Sequence, residues 1–317
     1  MAFFHVPVLL REVLETLHPS GEARILDLTL GLGGHAEALL AQCGAGARYL
    51  GVDRDPEARA RAAARLGADA RLTILACAHE EVFDQAEFQA WKAAHAPEGF
   101  DAILADLGVS TLQLRSPERG FSFMAEGPLD MRMDTEHGPT ALEWIAEQDD
   151  RTLADALYQF GEERASRPIA RAILRRLQEG TLNTTADLAA AVYTVLPKEI
   201  AKRKKQSDPA TRTFQAVRIA VNGELARLAA TLERAVSHLK PGGRLGVISF
   251  HSLEDRIVKQ TFRRLAGQYD GPGRVPPAPL PKLVTLIHPG GLAPSEEECA
   301  ANPPSRSARL RVAERVA

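Results

Sequence analysis

Asp27-Leu28-Thr29-Leu30-Gly31-Leu32-Gly33-Gly34-His35 is the stretch that decides the fold. It follows an apolar run that carries a single carboxylate, and residues 36–40 then resume with helical composition. A strand that enters a glycine turn and continues as a helix is typical of a nucleotide-binding loop. Glycine suits such a turn because it accepts positive φ, and because a missing Cβ lets the backbone approach a ligand at a helix N-terminus. Several adenosine cofactors use this geometry, so the loop alone identifies none of them.

Strand-like and helix-like segments alternate on both sides of this loop, which predicts an α/β fold with a mostly parallel sheet covered by helices. The predicted strands are residues 23–30, 47–53, 71–77, 100–108, 244–250, 282–287 and 308–316. The predicted helices of this part are residues 56–66, 214–239 and 253–265. Pro241-Gly242-Gly243 is expected to end the second of these helices before the fifth strand. The proline-rich residues 270–281 predict a surface loop.

The alternation stops after Gly108, where helical patterns without a convincing strand predict an inserted helical domain. Its helices are expected at residues 141–148, 153–160, 169–178 and 186–196. The insert ends in a basic cluster, the densest in the sequence, formed by Lys198, Lys202, Arg203, Lys204 and Lys205. The predicted division is therefore a sheet domain in two parts, 1–110 and 211–317, around a substrate-recognition insert at 111–210.

Composition narrows the class of protein. The 317 residues are 45% hydrophobic and 25% charged, and 39 basic against 41 acidic side chains give a net charge of −2, so nucleic acid would need a local basic patch. Three dispersed cysteines, Cys43, Cys77 and Cys299, fit neither a disulfide framework nor a zinc site, and no metal is expected. We find no signal peptide and no apolar window of membrane-spanning length, so a cytoplasmic protein that does not enter membranes is expected.

One carboxylate supports adenosine without identifying the cofactor, while two others and the joint before the fifth strand favour S-adenosylmethionine over NAD as the ligand of the glycine loop. Asp53 ends the second strand 19 residues beyond Gly34, where a carboxylate can accept both ribose hydroxyls of an adenosine. Asp27 lies just ahead of the loop, where it could meet a ligand's ammonium group but would be awkward beside a pyrophosphate. Asp106 ends the fourth strand at the topological switch point, where such sheets hold their chemistry. The Pro241-Gly242-Gly243 joint also resembles that of class I methyltransferases.

Longer motifs carry a resemblance to a known family. They are Leu30-Gly31-Leu32-Gly33-Gly34-His35, Asp106-Leu107-Gly108-Val109-Ser110, Arg119-Gly120-Phe121-Ser122-Phe123, Gly127-Pro128-Leu129-Asp130-Met131-Arg132-Met133-Asp134, Gly161-Glu162-Glu163-Arg164, residues 209–219 and residues 249–256. With these motifs in this order, the chain resembles the bacterial RsmH/MraW family of 16S ribosomal RNA cytosine-N4 methyltransferases over nearly its whole length. The resemblance implies a class I, Rossmann-like S-adenosylmethionine-dependent methyltransferase fold with seven strands and a helical insertion. It also implies a target cytidine in the decoding region (P site) of the small ribosomal subunit, and a possible homodimer.

The resemblance implies a set of cofactor-binding residues, and it has departures. The set is Gly33, Gly34, His35, Asp53, Asp106 and Gln113, to which the loop itself adds Asp27 and Gly31. Where the family often has a phenylalanine beside the adenine, this chain has Cys77-Ala78-His79, so either His79 or Phe83 is expected there. Leu112 replaces a usual proline, and Pro304 interrupts a usual Asn-Pro-Arg-Ser-Arg-Ser run.

The chemistry of the acceptor suggests further roles. The lone pair of cytosine N4 is delocalised into the ring, so an acceptor for the N4 hydrogens would favour attack on the methyl group. Asp106 is the leading candidate, although it could also serve only the cofactor. The Pro-Pro-aromatic tetrapeptide of DNA amino-methyltransferases is missing here, which leaves Phe121, Phe123 and Phe250 as candidates for base stacking.

For the other polar residues, the sequence allows both a functional and a structural interpretation. Asp130 and Asp134, with Arg132 between them, could hold the base edge or a phosphate, or could brace their own loop. His251 could be a general base or a structural hydrogen-bond partner. The basic cluster that includes Lys202, Arg203, Lys204 and Lys205, together with Arg212 and Arg218, could contact RNA phosphates or merely solvate a helix end.

Two other classes of function compete with methyl transfer. An NAD-dependent oxidoreductase would share the glycine loop and Asp53, but would have no use for the basic insert. A non-enzymatic ribosome-assembly factor would keep the basic cluster, yet would not need Asp27, Asp53 and Asp106 together.

Overall fold

The computed structural model describes residues 6–203, 207–268 and 281–316. It divides into two compact units, each with its own core. The first unit is Met1–Gly108 with Leu225–Ala317, and the second is Val109–Glu224. The predicted insert of 111–210 therefore differs from the second unit mainly at its C-terminal end.

A seven-stranded sheet forms the first unit. Its strands are β1 (Arg24–Asp27), β2 (Arg48–Asp53), β3 (Leu72–Ala76), β4 (Phe100–Asp106), β5 (Leu239–Ser249), β6 (Val284–Leu292) and β7 (Arg309–Arg315). Their order across the sheet is β3-β2-β1-β4-β5-β7-β6, in which β7 runs antiparallel to the other six strands. The predicted α/β fold with a mostly parallel, seven-stranded sheet is thereby confirmed.

Fourteen α-helices are found in the described residues. They are α1 (Leu10–Leu17), α2 (Gly34–Ala41), α3 (Pro56–Leu66), α4 (Ala86–His95), α5 (Thr111–Arg115), α6 (Ala141–Ala146), α7 (Asp150–Gly161), α8 (Ser166–Gln178), α9 (Thr185–Tyr193), α10 (Lys198–Arg203), α11 (Ala210–Asn222), α12 (Leu228–His238), α13 (Ser252–Leu265) and α14 (Glu296–Ala301). In this part of the chain, none is both long and apolar enough to cross a bilayer.

Buried aliphatic strands explain why the sheet is covered on both faces. Leu26, Leu50 and Ile103 belong to one apolar cluster with α12 and α13, whereas Ile25, Tyr49 and Leu104 belong to another with α1 and α2. Alternate residues of a strand point to opposite faces, so these neighbours divide between the two clusters. The two clusters fix the carboxyl ends of β1, β2, β4 and β5 at one edge of the sheet.

The single helix predicted at residues 214–239 is wrong. The structure has two helices here, because Gly223 adopts a left-handed φ of 63° and ends α11, and α12 begins only at Leu228. Phe214 and Val217 lie in the core of the second unit, which is why that unit extends beyond residue 210 to Glu224. Residues 241–243 lie inside β5, and the loop predicted at 270–281 falls almost wholly outside the described residues.

Candidate functional site

The glycine loop connects β1 to α2 through two left-handed turns. Gly31 has φ 53° and Gly33 has φ 77°, values that a residue with a Cβ adopts only under strain. Space constrains the loop as well. A Cβ on Gly33 would lie 2.9 Å from Leu66 Cδ1, and one on Gly34 would lie 2.6 Å from Pro7 Cγ, whereas a Cβ on Gly31 would meet nothing closer than 3.9 Å. The loop thus packs closely on one side and leaves space beside Gly31.

Asp27 is buried at the end of β1, with 1% of its surface exposed. Its Oδ2 accepts a hydrogen bond from the Tyr49 hydroxyl at 2.7 Å, and its Oδ1 accepts one from Thr29 N at 3.0 Å. Burial raises the pKa of Asp27 to about 6, and the neighbouring charge of Asp53 adds to the effect. Near neutral pH this carboxyl therefore becomes ionised in a place that disfavours its charge.

Asp53 ends β2 and faces the same loop. Its Oδ2 accepts from Gly31 N at 2.7 Å, and its Oδ1 accepts from Asp55 N at 2.9 Å. Burial raises the pKa of Asp53, while these two backbone donors oppose that effect. Because the Asp53 carboxylate is hydrogen-bonded to the loop backbone, the carboxylate and the loop can contact the same ligand.

Asp106 ends β4, and its backbone N donates to Thr29 Oγ1 at 2.6 Å. Its Oδ2 lies 3.7 Å from His35 Nδ1, while His35 Nε2 lies 3.0 Å from the Val8 carbonyl oxygen. In the part of the chain that the structure describes, the buried Asp106 Oδ1 has no hydrogen-bond partner. Burial, followed by the charges of Asp27 and Glu254, raises the pKa of Asp106 well above its usual range. A buried carboxyl oxygen without a partner is a favourable place for a hydrogen-bonding or cationic group of a ligand.

The electrostatics of these acids indicate which class of cofactor fits. Asp27 is buried and Asp53 and Asp106 are half-buried, and the pKa values of all three carboxyls are raised. The charge of Asp53 adds to the shift of Asp27, and that of Asp27 adds to the shift of Asp106. A ligand with a sulfonium and an ammonium group would relieve this repulsion, whereas a pyrophosphate would increase it. The charges of the residues present therefore fit S-adenosylmethionine better than a dinucleotide.

The end of β5 supplies a second polar group at the same edge. His251 is the N-cap of α13, and its Nδ1 accepts from Glu254 N at 3.4 Å. Its Nε2 lies 3.2 Å from Glu254 Oε1, and Glu254 Oε2 in turn accepts from Phe250 N at 2.8 Å. These contacts support the structural reading of His251. The ring of Phe250 is half-buried, and a Cβ on Gly108 would lie 3.5 Å from it.

The two candidates for the adenine contact have different surroundings. Phe83 is only 2% exposed and stacks on His238 with ring centroids 4.8 Å apart, so it is a core residue and not an adenine contact. His79 follows β3, and burial lowers its pKa, while its Nδ1 lies 3.4 Å from Glu80 Oε2. Glu80 is also held by Arg54, whose Nη2 donates to both carboxylate oxygens at 2.6 and 2.7 Å.

In the second unit, Asp130 and Arg132 form a brace within their loop. Arg132 Nε and Nη2 donate to the two oxygens of Asp130 at 2.9 and 2.8 Å. Burial opposes ionisation of Asp130, but the hydrogen bonds from Arg132 hold its pKa below the usual value. Asp134 accepts from Glu136 N and pairs with His137 Nδ1, each at 2.9 Å. These contacts favour the structural reading that the sequence left open.

The aromatic residues and Gln113 of this unit also have partners. Phe121 is buried in the core of the second unit, so its expected role in base stacking does not agree with its position. Phe123 is half-buried and meets Phe214 edge to face at 5.0 Å. Gln113 is buried and forms a capping box with Ser110, to whose N–H its Oε1 is bound at 2.9 Å.

The basic cluster is only partly within the described residues. Lys202 and Arg203 are exposed on α10, while Lys204 and Lys205 fall outside the described residues. Lys198 pairs with Asp208 at 3.3 Å. Arg212 is exposed. Arg218 donates two hydrogen bonds of 2.9 Å to Glu224, so its charge is neutralised within the protein.

Two residues of the site were not found from the sequence. Tyr49 is the hydrogen-bond donor to Asp27, and its position in β2 directly beside β1 could have suggested this, because strand neighbours share a sheet face. Glu254 is bound at the end of β5, and its spacing from His251 is that of a capping box.

The chain is similar to known proteins in both sequence and structure. The family model described as the MraW methylase family matches residues 2–316. The chain is 47% identical over 311 residues to "Ribosomal RNA small subunit methyltransferase H" of Stenotrophomonas maltophilia (strain R551-3), covering 98% of this chain and 93% of that protein. It is also 47% identical over 313 residues to the protein of that name from Xanthomonas campestris pv. campestris (strain B100), covering 98% and 87%. A solved structure of a putative rRNA-methylase from Clostridium thermocellum aligns with a TM-score of 0.43 at 10% identity, covering 99% of each chain.

Proposed function

This chain belongs to the MraW methylase family, and from that premise we propose that it methylates the exocyclic N4 of a cytidine in the decoding region of 16S ribosomal RNA. It is an S-adenosylmethionine-dependent ribosomal RNA methyltransferase, since the relatives that carry this name match it over nearly its full length. The part that we propose is the methylated atom, N4, and its nucleotide, a cytidine of the decoding region. S-adenosylmethionine, when bound, supplies an electrophilic methyl group to the attacking nitrogen.

One observation carries the proposal of Asp106 as the group that meets the acceptor amine. Its Oδ1 is buried and has no partner among the described residues, and it lies at the carboxyl end of β4 beside the donor loop. A hydrogen bond from N4–H to this oxygen would favour a pyramidal nitrogen, whose lone pair is available for attack in line with the departing sulfur. The bond formed joins N4 to the methyl carbon, the bond broken joins that carbon to sulfur, and the N4 proton leaves toward the carboxyl group.

The cofactor roles follow the contacts of each side chain. Asp53 binds the ribose hydroxyls from the end of β2, and Asp27 binds the ammonium group from the end of β1. Gly31, Gly33 and Gly34 let the backbone come close to the cofactor. His35 is held by its contact with the Val8 carbonyl oxygen, and its other ring nitrogen orients the Asp106 carboxyl group. His79 is our remaining candidate for the adenine, and the family resemblance also implies Gln113 as a cofactor-binding residue.

Recognition of the RNA is proposed for the helical unit and the end of β5. Phe123 and Phe250 are the half-buried aromatic side chains that remain for base stacking, and the exposed Lys202, Arg203 and Arg212 suit phosphate contacts. The small ribosomal subunit in the cytoplasm is the proposed setting. A homodimer is a further expectation of the family resemblance. The two competing classes, NAD-dependent oxidoreductase and non-enzymatic assembly factor, lack support from the acidic donor set and from the family.

The experiment compares Asp106→Asn with the wild type in transfer of labelled methyl groups from S-adenosylmethionine to small-subunit ribosomal RNA. We expect turnover to fall at least 100-fold, because the amide keeps the size of the side chain but no longer takes a proton. Calorimetric affinity for S-adenosylmethionine, measured on the same variant, separates loss of the cofactor from loss of the chemical step. Wild-type turnover would remove Asp106 from both roles.

A further inference from the structure

Helix α8 of the second unit carries a row of arginines along one side. Arg167, Arg171 and Arg175 follow one another at intervals of four residues, so they lie on the same face of the helix and span about 12 Å at about 1.5 Å per residue. All three side chains are exposed, and we call them the α8 arginine row. The opposite face of the helix holds Ile169 and Ile173, which pack in the core of this unit. The row therefore faces solvent along its whole length.

The charge of the row is not neutralised by any group among the residues that the structure describes. In this part of the chain, none of the three arginines has a hydrogen-bond or ion-pair partner. Helix α8 contains no acidic residue, and the exposed Glu179, one turn beyond Arg175, does not pair with it. An exposed arginine of α3 differs in this respect, because Arg61 pairs with Glu57 at 2.7 Å. The positive charges of the row are therefore available to an external anion.

The row is unfavourable for the helix that carries it. Like charges four residues apart on a helix repel each other, and Arg171 has such a neighbour on both sides. Negative charges that bind to the row would remove this repulsion. A ligand with several negative charges in a line suits three cations in a line, and RNA is a ligand of this kind because each nucleotide carries a phosphate.

Further cations lie at the beginning of the row. Arg164 precedes α8, is exposed, and has no partner among the described residues. Arg212 of α11 packs on the same turn between α7 and α8, since its Nη1 donates to the Glu162 carbonyl oxygen at 3.4 Å. A Cβ on Gly161 would lie only 2.6 Å from the Arg212 carbonyl oxygen. Exposed cations thus continue from the start of α11 through this turn and along α8.

We propose that the α8 arginine row, extended by Arg164, binds backbone phosphates along one strand of the substrate RNA. The inference rests on ribosomal RNA as the substrate, but not on N4 as the methylated atom. Arginine suits this role because its planar guanidinium group can donate two parallel hydrogen bonds to a phosphate. A row of about 12 Å corresponds to about three or four nucleotides of a stacked strand at about 3.4 Å each. This surface is separate from the basic cluster of α10.

The test uses the triple variant Arg167→Gln/Arg171→Gln/Arg175→Gln in the full chain, with protein-free small-subunit ribosomal RNA and assembled small subunits as two probes. Glutamine removes the charge and keeps a helix propensity close to that of arginine. If each arginine meets one phosphate, the slope of log K against log salt becomes shallower by about 2, at about 0.7 for each phosphate. RNA affinity then falls about 100-fold at 0.1 M salt, and the difference disappears toward 1 M salt.

Two further measurements separate weaker RNA binding from damage to the fold. Thermal unfolding of the RNA-free variant should occur at or above the wild-type temperature, because the substitutions remove the repulsion between like charges. KM for RNA should rise, while kcat and the calorimetric affinity for S-adenosylmethionine stay unchanged. Should the triple variant fold poorly, Arg171→Gln alone gives the same comparison, with a change in slope of about 0.7.

The control removes the same amount of charge elsewhere. Arg11→Gln/Arg61→Gln/Arg151→Gln replaces three exposed arginines that pair with acidic residues of their own helices. If the row variant binds both probes as tightly as this control, with an equal salt slope, the proposal is overturned. Weaker binding to assembled subunits alone would assign the row to a protein of the subunit and would also overturn it. The expected loss of RNA affinity, together with methylation of an atom other than N4, would refute the proposed function and support the role of the row.

Discussion

Replacing Asp27 with asparagine is expected to stabilise the ligand-free protein at neutral pH while weakening its hold on S-adenosylmethionine. Asp27 is 1% exposed, and burial raises its pKa from 3.8 to about 6. This difference corresponds to about 3 kcal/mol of unfolding free energy that is lost when the group must ionise in the folded state. Asparagine carries no charge, so it avoids that loss.

The sign of the pH dependence follows from the raised pKa. The stability that the neutral carboxyl contributes is fully present below pH 3.8 and is lost as pH rises through about 6. Asparagine rearranges the hydrogen bonds to Tyr49 and Thr29 at a cost of about 1 kcal/mol. We therefore expect Asp27→Asn to be more stable than the wild type by about 2 kcal/mol at pH 7.5, and this advantage to shrink to less than about 1 kcal/mol at pH 5.

Denaturant unfolding of both proteins between pH 5 and pH 8, without cofactor, measures this difference. Calorimetry at pH 7.5 then measures affinity for S-adenosylmethionine, which should fall at least tenfold because the ammonium group loses its charged partner. Tyr49→Phe is a useful companion, since it removes the donor to Asp27 and keeps the charge. An Asp27→Asn protein that is less stable than the wild type by the same amount at every pH would refute the electrostatic reasoning.

Two other changes test the donor loop. Asp53→Ala should weaken S-adenosylmethionine binding at least tenfold by calorimetry, because it removes the ribose acceptor and the partner of Gly31 N, and an unchanged affinity would overturn the ribose assignment. Gly33→Ala should destabilise the protein by about 1–2 kcal/mol from its left-handed φ, with a further loss from the 2.9 Å approach of the new Cβ to Leu66. Gly180→Ala, with φ 67° and open space, is its matched control in thermal unfolding, and an equal loss in both would show that the contact with Leu66 does not matter.

The position of the acids beside the glycine loop could be predicted because the sequence signals for it are local. A glycine turn after a buried strand needs positive φ, and an acid at the end of the next strand reaches the same edge of the sheet. The proximity of Asp27 and Asp53 to the loop could therefore be predicted from their spacing in the sequence. Tyr49 did not, because its role depends on the register between β1 and β2, which a sequence pattern leaves open.

Predictions that depended on which way a side chain points were less successful. Phe121 lies in an irregular loop, where no periodicity says which face is buried, and it packs into the helical core. Phe83 follows β3 at a plausible distance from the adenine site, yet a stack with His238 places it in the core of the sheet unit. The helix predicted at 214–239 was wrong for a related reason, since its apolar spacing continues across Gly223 although the backbone turns there.

The loop of Asp130 shows how backbone geometry decides between two readings. Met131 has a left-handed φ of 57°, which turns the chain so that Asp130 and Arg132, only two residues apart, meet through two hydrogen bonds. A helix would not bring side chains at this spacing together, because residues two apart do not face each other on its surface. The shift in the pairing of β6 with β7 between Ile287 and Leu292 likewise has no periodic signal in the sequence.

Transfer of a methyl group to N4 of a cytidine in small-subunit ribosomal RNA can be measured directly on the modified RNA. Small subunits that lack this modification would be incubated with the protein and S-adenosylmethionine carrying a deuterated methyl group. The RNA would then be digested and its nucleosides identified by mass spectrometry. We predict that the label appears on the exocyclic nitrogen of a single decoding-region cytidine, and only in the presence of the wild-type protein. Label on a ring carbon, on a ribose oxygen or on another base, or no label in RNA at all, would contradict the claim.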